Sequence, residues 1–93
     1  MYERILHQMR EMVRTNAYIM TIHAEEEMHD EDLSIFDVEC IILTGAIIER
    51  QRETETAEAK YRIQGKTVGE TEGEVIGKIS LTGKLVIVTI YTI

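Results

Sequence analysis

The fold class is decided by residues 59–66, which read AKYRIQGK and alternate strictly between two kinds of side chain. A period of two predicts a β-strand with one face on a core and the other in water. The positions expected on the core are Ala59, Tyr61, Ile63 and Gly65, and those expected in water are Lys60, Arg62, Gln64 and Lys66.

Three further segments are predicted to be strands. Residues 75–81 alternate in the same way, and Thr82-Gly83 then predicts a tight hairpin turn. Leu85–Ile93 is apolar on both faces, which predicts a strand that is central or covered on both sides. Ala46–Arg52 begins apolar and ends charged, as expected of a strand that leaves the body of the protein. The segment 67–74 has the composition of a turn.

The first half of the chain is predicted to be helical. Residues 2–15 carry an apolar stripe at a period of 3.6, and residues 23–29 form a short acidic helix. The stripe consists of Ile5, Leu6, Met9, Met12 and Val13. Residues 18–22 read as an extended connector or a short strand.

A third helix is predicted from Ile35 to about Leu43. Ser34 suits the N-cap, Asp37 completes a capping box, and Gly45 takes the C′ position. Because this helix is apolar all round, we expect it to be buried between the sheet and the first helix.

Helices followed by strands predict an α+β protein, with the helices packed on one face of a four-stranded antiparallel sheet in meander order. With 93 residues, a single domain spanning 1–93 is expected, with a leading helix over 1–16 and a core over 17–93.

No apolar run approaches the ~20 residues of a membrane span, so no membrane association is expected. The charged N-terminus lacks the apolar region of a signal peptide, which predicts a cytoplasmic location.

The net charge of −7 is unevenly distributed. Residues 1–59 have five Arg against fourteen acids, whereas residues 60–93 have five basic residues against three acids. The block 23–39 contains eight acids and no Lys or Arg, so it repels the phosphates of nucleic acid and anionic lipid.

Neither a metal centre nor a cofactor site is predicted. His23 and His29 lie six residues apart, which turns them about 120° from each other on a helix. His23 with Glu27, and Glu25 with His29, each supply two ligands without a third. The single cysteine, Cys40, excludes an intramolecular disulfide and is expected to be buried and inert.

The chain resembles a bacterial family called domain of unknown function 4258. The resemblance covers about residues 17–93 and rests on five segments. They are His23-Ala24-x-x-Glu27-Met28, Leu33-Ser34-x-x-Asp37-Val38, Ile42-Leu43-x-Gly45-x-Ile47-Ile48-Glu49, Lys60-Tyr61-x-Ile63-x-Gly65-Lys66 and Val86-Ile87-Val88-Thr89-Ile90-Tyr91.

This resemblance implies a distant relationship to the RelE-like toxin fold, which includes ribosome-associated endoribonucleases. Many relatives carry Arg before the Met of the first segment, where this chain has Glu27. The position therefore offers no cation for a phosphate.

Cleavage of RNA through its 2′-hydroxyl needs a base, an acid and a cation that stabilises the phosphorane. His23 is the candidate base, Tyr91 or a Lys the acid, and Arg62 or Lys78 the cation. The structural alternative is that His23 caps its helix or forms a hydrogen bond with Tyr91.

Lys60, Arg62, Lys66 and Lys78 project from one sheet face if the strands form a meander, and they are the candidate binding residues. The alternative is a solvated face with cross-strand partners such as Glu49 or Glu53.

Two functions remain open from the sequence. The favoured one is a cytoplasmic binding or regulatory module without robust catalysis, whose partner is another protein or a second copy in a homodimer. The alternative is a metal-independent endoribonuclease toxin of a toxin–antitoxin pair, with RNA as its substrate. The pI of about 4.9 favours the first, because a toxin of this type needs a basic face to approach the ribosome.

Overall fold

The computed structural model describes residues 1–52 and 58–93 and confirms the α+β class. Within these described residues, three helices and five strands follow one another. They are α1 (Glu3–Arg14), β1 (Tyr18–Met20), α2 (Ile22–Asp30), α3 (Ile35–Thr44), β2 (Ala46–Arg52), β3 (Ala59–Lys66), β4 (Glu72–Ile79) and β5 (Leu85–Thr92).

The strands form one mixed sheet in the order β1-β5-β4-β3-β2. Strands β2 to β5 make the expected antiparallel meander, but β1 adds a fifth strand parallel to β5, so the prediction of a four-stranded antiparallel sheet is wrong. The backbone N–H of Leu85 donates to Ala17 O, and that of Thr21 donates to Ile87 O, both at 3.0 Å. A strand of three residues is too short to show a period of two.

Helices α1 and α3 pack on one face of the sheet, which we call the inner face, and α2 lies along the edge of β5 with Ala24 in the same core. The helices and the inner face share one apolar core, as the periodicities predict. Its members are Leu6, Met9, Val13, Ala24, Val38, Ile41 and Ile42 from the helices and Tyr61, Ile63, Val75, Leu85, Ile87 and Ile90 from the sheet. The opposite side, the outer face, carries the alternate residues of each strand.

Helix α3 is not buried all round, contrary to expectation. Val38, Ile41 and Ile42 are fully buried, but Phe36 is 68% exposed and Leu43 is 37% exposed. The sheet and α1 contact the sides that carry the buried residues and do not extend over Phe36.

Both ends of α3 are held by side chains. The Ser34 hydroxyl accepts a hydrogen bond from Asp37 N, and the Asp37 carboxylate accepts one from Ser34 N, which confirms the capping box. At the other end, Arg10 of α1 donates from Nη2 to Gly45 O at 2.7 Å and from Nε to Ile42 O at 3.2 Å. A cation at a helix C-terminus also complements the helix dipole.

Gly45 ends α3 in an extended conformation (φ −90°, ψ −172°), so no left-handed cap is formed. Glycine is needed there for a different reason, which is the close passage of α3 over β3. A Cβ atom on Gly65 would lie 2.8 Å from Gly45 Cα and would also clash with Ile41 O. The two glycines therefore let the backbones approach.

In the part of the chain that the structure describes, no helix is both long and apolar enough to cross a membrane.

Candidate functional site

The outer face brings polar side chains from three neighbouring strands together around one carboxylate. In the strand register Glu74 of β4 lies between Gln64 of β3 and Tyr91 of β5, and Arg62 lies opposite Glu49 of β2. Side chains on one face of paired strands are close enough to interact. We call Arg62, Glu74, Tyr91, Glu49 and Gln64 the Glu74 cluster.

Arg62 binds two carboxylates at once. Its Nη2 donates to both carboxylate oxygens of Glu74, at 2.9 and 3.1 Å, and its Nε donates to Glu74 Oε2 at 3.3 Å. Its Nη1 donates to Glu49 Oε1 at 2.9 Å. Each of the three guanidinium nitrogens therefore already has a carboxylate partner.

Glu74 accepts two further hydrogen bonds. The Tyr91 hydroxyl donates to Glu74 Oε2, and Gln64 Nε2 donates to Glu74 Oε1 at 3.4 Å. Although Glu74 points to the face without helices, its neighbours cover it so that it is only 3% exposed. A carboxylate this buried needs its partners, because it has lost its water.

The pKa values of the cluster reflect these contacts. Burial alone would raise the pKa of Glu74, but the hydrogen bonds from Arg62 and Tyr91 and the positive charge of Arg62 bring it below its usual value. The hydrogen bond to Glu74, together with burial, raises the pKa of Tyr91. The bonds to Glu74 and Glu49 raise the pKa of Arg62, so near neutral pH the cluster contains two carboxylates and one guanidinium.

The structure brings Arg62 and Tyr91 together through Glu74, but it does not join His23 to them. His23 lies near the start of α2, with Nε2 at 3.2 Å from Glu27 Oε1. Among the contacts of the described residues, none links His23 to the Glu74 cluster. The hydroxyl of Tyr91 binds Glu74, and the α2 N-cap is Thr21, whose side chain accepts from Ala24 N at 3.0 Å. Both structural roles suggested for His23 are therefore filled by other contacts.

Glu27 has a structural role instead. Strand β5 pairs with β1 only over Leu85–Ile87, and the rest of the same edge of β5 faces α2. Glu27 Oε1 accepts from Ile90 N at 3.1 Å, and Glu31 accepts from Thr92 Oγ1 at 2.9 Å and from Thr92 N at 3.4 Å. These two acids thus satisfy strand donors that a neighbouring strand would otherwise bind.

The three lysines of the candidate basic face lie on the outer face, and two of them, Lys66 and Lys78, have acidic neighbours. Lys66 is opposite Glu72 in the register, and Lys78 Nζ lies 2.8 Å from Glu58 Oε2. Lys60 pairs with Gln51 in the register. The expected cross-strand partner Glu49 binds Arg62, and the other expected partner, Glu53, lies outside the described residues.

Glu74 is the residue that the sequence reasoning missed, because 67–74 was interpreted as a turn. Strand β4 in fact begins at Glu72. Extending the alternation of residues 75–79 backwards by two positions would have placed Glu74 on the same face as Lys78.

Across residues 1–52 and 58–93, no three His, Cys, Asp or Glu side chains are grouped so that they could hold a metal ion.

These features define a small α+β protein whose mixed sheet has helices on one face and an ion-pair cluster around a buried carboxylate on the other. The chain belongs to the family described as Domain of unknown function (DUF4258), whose family model matches residues 20–92. This confirms the resemblance, and it leaves α1 ahead of the matched region. The comparisons with curated proteins and with solved structures found no match.

Proposed function

We propose that this protein is a small binding module that contacts another protein chain through the outer face of its sheet and carries out no catalysis. The observation that carries the proposal is the state of Arg62, whose three guanidinium nitrogens all donate to Glu74 or Glu49. An arginine held in this way organises a surface and does not offer a free cation to a phosphate.

The charge balance supports the same conclusion. Within the Glu74 cluster two carboxylates outnumber one guanidinium, so the cluster itself offers a phosphate no net positive charge. The candidate base, His23, is paired with Glu27 on the acidic helix α2. A ribonuclease must stabilise a doubly negative phosphorane, and carboxylates beside both His23 and Arg62 would destabilise that transition state.

A second candidate function, a metal-independent endoribonuclease with a RelE-like fold, is favoured by one observation. Arg62, Tyr91 and a carboxylate converge on the outer face from three strands, which is the kind of assembly that acid–base catalysis requires. For this function Arg62 would have to leave Glu74 and bind the substrate phosphate.

The test is an RNA cleavage assay with purified protein, on free RNA and on ribosome-bound RNA, with EDTA present throughout. We expect no cleavage, and we expect no growth arrest when the protein is expressed. His23→Ala is the diagnostic variant, and His29→Ala on the same exposed helix is its control. Two results together would show that the proposal is wrong. The wild type would cleave RNA in EDTA, and the cleavage rate would fall ~10²-fold or more in the His23→Ala or the Arg62→Ala protein. The His29→Ala protein would keep the wild-type rate.

A further inference from the structure

Three apolar side chains, Ile19, Val86 and Ile76, lie on the outer face beside the Glu74 cluster, and we call them the apolar strip. Ile19 of β1 is the register partner of Val86 of β5. On β4 the partner of Val86 is Lys78, and Ile76 lies two residues along from Lys78, opposite Thr89. Ile19 is 50% exposed, and Ile76 and Val86 are partly exposed. Because the helices pack on the inner face, the described chain does not cover this strip.

A hollow adjoins the strip where β4 turns into β5. Its volume is about 650 Å³, and Val86 and Leu81 line it together with Ser80, Thr82 and the Lys78–Glu58 ion pair. Leu81 is fully exposed at the tip of the turn. An apolar projection at Ile19 and an apolar hollow therefore lie side by side on one surface.

The charge of the outer face differs from that of the rest of the chain. Its strands carry the basic residues Lys60, Arg62, Lys66 and Lys78 against Glu49, Glu72 and Glu74, and Glu58 pairs with Lys78 beside them, so the face has no net charge. The chain as a whole has −7, so the remainder carries −7. Two copies of this chain repel each other least when they approach through their outer faces.

We infer that the occupant of this surface is a second copy of the chain, packed outer face to outer face about a two-fold axis. Such an interface uses the same patch on both partners, so the projection of each copy meets the hollow of the other. Sheets that pack face to face bury side chains between them in a layer about 10 Å thick. This inference rests on the proposed binding function and names its partner.

The interface has to use most of the outer face. Four strands about 4.8 Å apart and up to eight residues long outline roughly 500 Å² in projection. A stable interface covers ~800 Å² of accessible surface on each partner, so the dimer must bury the strip, the hollow and the strands beside them together.

The test is the oligomeric state of the full chain, measured by sedimentation equilibrium from low to high micromolar concentration. We expect the wild type to dimerise and Ile19→Glu to raise the Kd by ~10-fold or more, because the new charge would be buried against apolar side chains. The matched control is Phe36→Glu, which places the same charge on the exposed side of α3 and leaves the Kd unchanged. Circular dichroism establishes that both variants are folded.

Three outcomes would overturn the inference. One is a wild type that stays monomeric throughout the range, and another is an Ile19→Glu protein that dimerises like the wild type. In the third, Phe36→Glu abolishes the dimer, which would place the interface on α3. The two experiments test the two proposals separately. A monomeric protein that leaves RNA intact contradicts only the dimer. Cleavage of RNA contradicts the proposed binding function.

Discussion

The two faces of the sheet bury side chains by different physical means. On the inner face, apolar residues such as Ile63 and Val75 are buried beneath the helices, and glycines allow close backbone contact. On the outer face, Glu74 is almost as inaccessible, yet its cover consists of other polar side chains. Burial on the inner face is stabilised by the removal of apolar surface from water, and burial on the outer face depends on specific hydrogen bonds.

This difference predicts how each face responds to substitution. The inner face should lose stability in proportion to the apolar volume removed, whatever the pH. The outer face should be sensitive to the loss of a single partner and to the protonation of its carboxylates. The stability measurements below are made at concentrations at which the chain is monomeric.

The largest effect is expected on the inner face. Ile42 of α3 is fully buried in the core that α1, α3 and the sheet share, so Ile42→Ala should lower the free energy of unfolding by about 2–5 kcal/mol. Chemical denaturation measures this change. Ile22→Ala, at a largely exposed position of α2, is the control and should change it by less than about 0.5 kcal/mol. A loss below half a kcal/mol for Ile42→Ala would mean that α3 does not pack as described.

A smaller effect is expected from the carboxylate at the centre of the outer face. Glu74→Gln keeps the shape of the side chain but removes the charge that Arg62 and Tyr91 bind, which should cost about 1–3 kcal/mol. The matched control is Glu49→Gln, which alters the more exposed partner of the same arginine and should have a clearly smaller effect. Equal losses of unfolding free energy in the two variants would show that the burial of Glu74 does not strengthen its contribution to stability.

The smallest effect is a difference in pH dependence. Because the pKa of Glu74 is below its ordinary value of 4.5 in the folded protein, its contribution is complete above that pH and is lost as the pH falls through the lowered pKa. We therefore expect the stability difference between wild type and Glu74→Gln to shrink in acid. Denaturation curves from pH 7 down to pH 3 measure it, and a difference that is constant or grows in acid contradicts the lowered pKa.

The sequence predicted the inner face better than the outer one. Periods of 3.6 and two identify core residues such as Met9 and Ile63, because a side chain's position along its own element decides which way it faces. The same reasoning overestimated the burial of Phe36, since the composition of a helix does not say how far its neighbours extend. It also could not establish β1, whose three residues are ordered by pairing with the distant strand β5.

The Glu74 cluster was predictable only in part. Arg62, Tyr91 and the partner Glu49 were identified from their positions on strands, but their arrangement depends on the strand registers. Those registers shift at two irregularities, between Ile47 and Glu49 and between Ile76 and Gly77, which periodicity alone does not locate. Glu74 itself was hidden in a segment with the composition of a turn.

If the outer face is the open, binding face of the protein, its apolar side chains are accessible in the monomer and become covered on association. The solvent paramagnetic relaxation of isoleucine methyl groups, recorded by NMR at low and at high protein concentration, measures this change. We predict that Ile19 and Ile76 are relaxed by the probe in dilute solution and become protected as the concentration rises. Exposed Ile22 should be relaxed at both concentrations, and buried Ile42 at neither. Protection of Ile22 in place of Ile19, or no change at Ile19 and Ile76, would contradict the claim.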